Sequence, residues 1–311
     1  MRVTSNTFPD SLVDQLGSLA SRQNRLQNQA TTGQRIQTAE DDPAAVRRVL
    51  DLQGEASAVG QYQRNIARQQ DLANASYGVM KSLKKISDRA GEIATLADGT
   101  KSPQDLQFYA TEVTELIKQG AQLMNTKYGG DYLFAGTRSD QTPFVINTDA
   151  KGQITGIAYQ GNTELAESEI AEGVTVSAQV VGANGTANGP RGLITDSRSG
   201  ADFFNHLISL QNHLSSANTT AIASADRPQL QRDEDNLLFH FSANGALQAR
   251  LAAATSSAGD RALNLESQVS KEVDADLAQT MVKLSQTQTA YQAALQSGAH
   301  LLNLSLLDFL Q

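Results

Sequence analysis

Leu12, Leu16, Leu19, Leu26 and Ala30 recur near the start of the chain at steps of four and three, with Gln23 in the same line. This is a heptad seam, and it predicts a helix over residues 9–31 that seeks a helical partner rather than a broad core. One polar residue in a seam costs stability and sets register. Pro9 with Asp10 or Ser11 supplies the start of the helix. A second seam lies at the other end, where Leu277, Met281, Leu284, Tyr291, Leu295 and Leu302, with Gln288 and Gly298 in register, predict a helix over 274–305.

Between the seams, Gly33 stops the first helix and the stretch TTGQRIQTAEDDPAA turns the chain. Asp42 is a good N-cap, and Pro43 suits the first helical position, where its missing N–H does no harm. A long helix is predicted over 43–96, with Ile66, Val79, Leu83, Ile86, Ala90 and Ile93 as its apolar stripe and with bends at Gly54, Gly60 and Gly78. Further helices are predicted over 103–128, 201–217 and 227–270. Glycines crowd residues 129–200, and short alternating runs such as Val174–Ala178 read as strands.

The fold class is therefore mainly α: an elongated antiparallel helical rod with terminal coiled-coil helices and a small inserted β-rich domain. The expected parts are terminal helices at 1–40 and 273–311, rod segments at 41–130 and 201–272, and the β-rich insertion at 131–200. About 50 residues of helix would span roughly 75 Å.

Composition narrows the function. Aromatics make up 5% of the 311 residues and Trp is absent, which suits thin bundles better than a thick globule. The net charge of -8 leaves no electrostatic footprint for nucleic acid and disfavours an anionic membrane surface. The lack of cysteine excludes disulfides, thiolate metal sites and cysteine nucleophiles. No apolar run of the length needed to span a membrane appears, and the first residues lack a secretory h-region. An exported chain of this kind would bypass the ordinary secretory route.

No catalytic, cofactor-binding or metal-binding set emerges. His206 and His213 are seven apart without a third ligand, and the four histidines read as surface or interface residues. Glu40-Asp41-Asp42 reads as helix capping, and Asp274 and Asp276 as charges facing a helix dipole. The glycines match no phosphate-binding loop, and Arg232-Asp233-Glu234-Asp235 reads as a solvated helical face. The seams by themselves fit an intramolecular bundle as well as a polymer joint.

Two blocks break that tie. Thr32-Gly33-Gln34-Arg35-Ile36 followed by Asp41-Asp42-Pro43-Ala44 resembles the N-terminal turn of the flagellin superfamily, and Leu302 to Leu310 resembles its C-terminal tail. Tyr132-Leu133-Phe134-Ala135-Gly136-Thr137 with Thr142-Pro143-Phe144, together with Pro43 and the ending LSLLDFL, is similar to the hook–filament junction branch rather than to filament flagellins. The resemblance implies a non-enzymatic structural subunit, exported unfolded by the flagellar type III apparatus and placed outside the cell. It implies self-assembly into a ring between another hook-associated protein and flagellin subunits, with an export chaperone as a further partner. The seam leucines, Met281 and Tyr291 would be the assembly interface, and Gly33, Arg35, Asp41, Asp42, Pro43, Phe134, Gly136, Pro143 and Phe144 the family's motif positions. A small filament flagellin and a soluble coiled-coil binding module are the competing readings.

Overall fold

The structure, a computed structural model, describes residues 7–309, with side chains from 11 to 299. It is mainly α with a small strand-rich insertion, in the order α1 (Thr7–Thr32), α2 (Pro43–Leu96), α3 (Pro103–Met124), nine short strands, α4 (Phe203–Ser215), α5 (Thr219–Ala221), a π-helical turn (Ile222–Asp226), α6 (Arg227–Val273) and α7 (Leu277–Phe309). The chain divides into two compact units, one made of residues 1–58 and 261–311, the other of residues 59–260.

Start signals act where the sequence places them. Asp42 Oδ1 accepts from Ala45 N at 3.0 Å ahead of Pro43. Ser102 and Asp105 form a full capping box at the head of α3. Asp276 Oδ1 accepts from Gln279 N at 3.0 Å and opens α7. The expected bends in α2 do not interrupt it: the helix is continuous through Gly54, Gly60 and Gly78. A glycine costs a helix about 1 kcal/mol, and buried residues on both sides of each outweigh it.

In the unit of residues 59–260, Ile66, Gln69, Ala73, Ser76 and Met80 of α2 are buried at steps of three and four, a narrow seam. From Val79 onward the buried stripe widens to include Leu83, Ile86, Ala90 and Ile93, because α3, α4 and α6 share one core with it. α3 ends four residues before the expected Tyr128. Asn125 leaves the helix, and its side-chain amide pairs with both backbone groups of Phe144, at 2.8 and 2.9 Å. Lys127–Tyr128 (β1) then turns back on Asp131–Tyr132 (β2) across Gly129 and Gly130, both at positive φ, as a two-residue hairpin requires.

The insertion comprises small sheets. Phe144–Thr148 (β3) and Ile154–Tyr159 (β4) form one antiparallel pair, and Ser168–Ala171 (β5) and Val174–Val176 (β6) another. Val181–Asn184 (β7) runs parallel to Gly192–Asp196 (β8), which pairs antiparallel with Ala201–Asp202 (β9). Phe134, fully buried, and Phe144, tilted against Tyr159 and edge-on to Phe204, root these strands in the helical core.

Two readings of charged residues are corrected here. Asp233 is not part of a solvated face: it is buried, accepting from His206 Nδ1 at 2.8 Å and from Asp202 N at 2.8 Å. Seven residues earlier, buried Asp226 binds His213 Nδ1 at 2.7 Å and Ser209 Oγ at 2.8 Å. The heptad spacing of the two histidines on α4 thus matches that of two buried carboxylates, which sequence reading did not connect. His240 is also no surface residue, being 7% exposed with its Nε2 on Gly192 O.

Candidate functional site

The unit formed from both chain ends carries the candidate site. α1 packs on α7, and an antiparallel bridge between Gln34 and Asp274 closes one end of the pair. On α1 the covered line is Leu12, Leu16, Leu19, Gln23, Leu26 and Ala30, the seam predicted from spacing, with Leu26 buried. On α7 the covered line is Thr280, Leu284, Thr287, Tyr291, Ala294 and Gly298, again at steps of four and three. It shares Leu284, Tyr291 and Gly298 with the predicted seam, while Leu277, Met281, Gln288 and Leu295 are off it.

The displaced residues face outward. Leu277, Met281 and Leu295 are 50%, 60% and 46% exposed, and Val282 beside them is 57% exposed. The shift follows from side-chain size. Gly298 lets Leu12 lie against the α7 backbone, since a Cβ there would stand 2.6 Å from Leu12 Cδ2. Small Thr and Ala side chains permit close approach elsewhere along the line. The side chain of Leu302 and the tail to Leu310 lie outside the described residues.

The motif around Gly33 forms a clasp. Gly33 has φ of +72°, a left-handed conformation that suits a residue without Cβ. This turn aims Arg35 N at Val273 O, 2.6 Å away, while Ala275 N returns a bond to Gly33 O at 2.8 Å. Arg35 Nη2 donates to Glu272 O at 2.7 Å, and Nη1 approaches Asp42 Oδ2 at 3.4 Å. Glu272 in turn takes a bidentate pair from Arg48, at 3.1 and 2.8 Å. Asp41 Oδ2 accepts from the backbone of Gln37 and Thr38, and buried Ile36 sits beneath the loop. Asp42 with Pro43 starts α2.

The electrostatics agree with this geometry. Backbone N–H groups of Thr38 and Gln37 hold Asp41 below its ordinary value of 3.8. The N–H of Ala45 and then Arg35 do the same for Asp42, and Arg48 depresses Glu272 below 4.5. Arg35, Asp41, Asp42 and Pro43 were legible from the motif. Arg48, Glu272 and Asp274 were not, because their partners lie more than two hundred residues away in sequence.

The second motif sits in the other unit. Gly136, at φ +67°, would clash through a Cβ with Asn162, whose amide holds Thr137 N at 2.9 Å. Pro143 O accepts from Gln160 N at 2.8 Å, and Phe134 O from Tyr159 Oη at 2.9 Å. These residues fasten the entry of the strand-rich insertion; they carry no reactive group.

Comparison with known proteins matches residues 5–139 to the bacterial flagellin N-terminal helical region. Over 297 residues the chain is 27% identical to "Flagellar hook-associated protein 3" of Escherichia coli (strain K12), covering 89% of this chain and 90% of that one. Its fold is similar to a putative flagellar hook-associated protein of Vibrio parahaemolyticus, with a TM-score of 0.64 at 21% identity over 75% of this chain and all of that one. It is also similar to the flagellar junction protein FlgL of Legionella pneumophila, with a TM-score of 0.53 at 16% identity over 73% of this chain and 100% of that one.

Proposed function

We propose that the chain is a member of the flagellin superfamily, most like hook-associated protein 3, and that it is the structural subunit joining flagellar hook to filament. The observation that carries this reading is the pairing of both chain ends in one unit whose outer α7 face keeps Leu277, Met281, Val282 and Leu295 open. An apolar row beside a covered seam gains free energy when a neighbouring helix covers it. Subunits therefore assemble through α1 and α7 into a ring, meeting another hook-associated protein on one side and flagellin on the other. The subunit works outside the cell after type III export with a chaperone, and it acts as a joint rather than a catalyst.

Deleting the gene from a swimming strain tests this. A junction subunit leaves hooks intact and spills unpolymerised flagellin into the medium. Retention of full filaments, or loss of the flagellin itself, refutes the assignment.

A further inference from the structure

Within the unit of residues 59–260, a cavity of about 670 Å³ opens between α6 and the strand-rich insertion. Its volume is that of a small-molecule site. Three guanidinium groups line it, from Arg191, Arg198 and Arg250, in a chain whose net charge is -8.

Their partners differ. Arg198 is committed, bonding Asp196 Oδ2 at 2.7 Å and Gly189 O at 2.9 Å. Arg191 lies over the Phe239 ring at 4.1 Å, which occupies its face and leaves its in-plane N–H groups available. Arg250 has no hydrogen-bond or ion-pair partner among the described residues. Gln179 Oε1 is held by Ala166 N at 2.8 Å, so its amide N–H₂ is a further donor at the cavity.

The lining also holds acceptors. Glu167 Oε2 takes Thr175 Oγ1 at 2.6 Å, leaving Oε1 open. His240 Nε2 lies 3.1 Å from Gly192 O, which can only accept, so Nε2 carries the proton and Nδ1 is an acceptor in the neutral ring. Burial holds His240 below its ordinary 6.5; the Gly192 carbonyl and Asp196 oppose the shift, and Arg191 and Arg198 add to it, so the ring stays neutral. A site for bare phosphate needs donors only. Cations beside carboxylate and imidazole acceptors suit a ligand that is both acid and polyol.

We propose that this cavity binds a sugar acid, its carboxylate on Arg250 and Arg191 and its hydroxyls on Glu167 Oε1 and His240 Nδ1. The binding is separate from the assembly role and survives its failure.

The test titrates the purified full chain with D-galacturonate, methyl galactoside and inorganic phosphate, read by calorimetry and by the His240 imidazole resonances. Galacturonate binds saturably and raises the pKa of His240, while the neutral glycoside shows no binding. Arg250→Gln weakens galacturonate by about tenfold or more, as loss of a charge-assisted contact does, with an unchanged melting curve. Glu167→Gln narrows the preference for galacturonate over phosphate. No saturable binding by galacturonate overturns the proposal. So does phosphate binding as tightly as galacturonate, or indifference of galacturonate to Arg250→Gln in a folded variant.

Discussion

Replacing Leu277, Met281 and Leu295 together by alanine separates folding from assembly. Full burial of one such side chain is worth about 1.5–3 kcal/mol. In the subunit these three remain 50%, 60% and 46% exposed, so roughly half of that gain is still available to a neighbour. Truncating all three removes about 2–4.5 kcal/mol per subunit from assembly, or roughly 30- to 1,500-fold in affinity. The half already buried is lost to the free subunit as well, about 0.75–1.5 kcal/mol at each site, offset in part by alanine's higher helix propensity. Leu26→Ala is the contrast: Leu26 is 7% exposed, and its truncation should cost the folded subunit about 2 kcal/mol or more. The assay pairs circular-dichroism melting of the purified subunit with the concentration needed to restore filament growth on bare hooks. If the triple variant, at concentrations where it is folded, caps hooks as wild type does, or if Leu26→Ala impairs capping as much at equal folded fraction, the outward row is not an assembly surface.

Three further outcomes follow from the geometry. Asp41, Asp42 and Glu272 have folded-state pKa values below their ordinary 3.8 and 4.5, so their contribution is complete above those values and is lost as pH falls through the lowered ones. Hydrogen exchange at Arg35 and Ala275 N–H should stay slow at about pH 5 and speed up selectively in stronger acid; equal protection at both extremes contradicts the clasp. Gly182→Ala drives a Cβ to 2.7 Å from Phe144 Cε2 and 2.8 Å from Tyr159 Cε2, and should destabilise the unit of residues 59–260 by about 1–3 kcal/mol in denaturant titration. His206→Ala strands the buried Asp233 carboxylate and should cost about 3 kcal/mol at neutral pH, which Asp233→Asn in the same chain partly restores.

Helix existence and the insertion were legible because heptad spacing, caps and glycine turns are local signals. The α1 seam was read residue for residue, since leucines mark its covered face. On α7 hydropathy misled: the covered face uses Thr280, Thr287, Ala294 and Gly298, whose value is small size, while the oilier Leu277, Met281 and Leu295 point out. Local reading also missed pairings across distance. The Arg232–Asp235 run looked solvated because His206, which hydrogen-bonds the Asp233 carboxylate, is on another helix. Arg48 and Glu272 gave no sign of each other for the same reason.

The clasp has a mechanical consequence. Tension applied at one chain end can reach the other through the bonds from Arg35 to Val273 and from Ala275 to Gly33, without travelling along the intervening polypeptide. Residues 59–260 are thereby shunted out of the load path. The insertion can change in length or charge without touching the clasp.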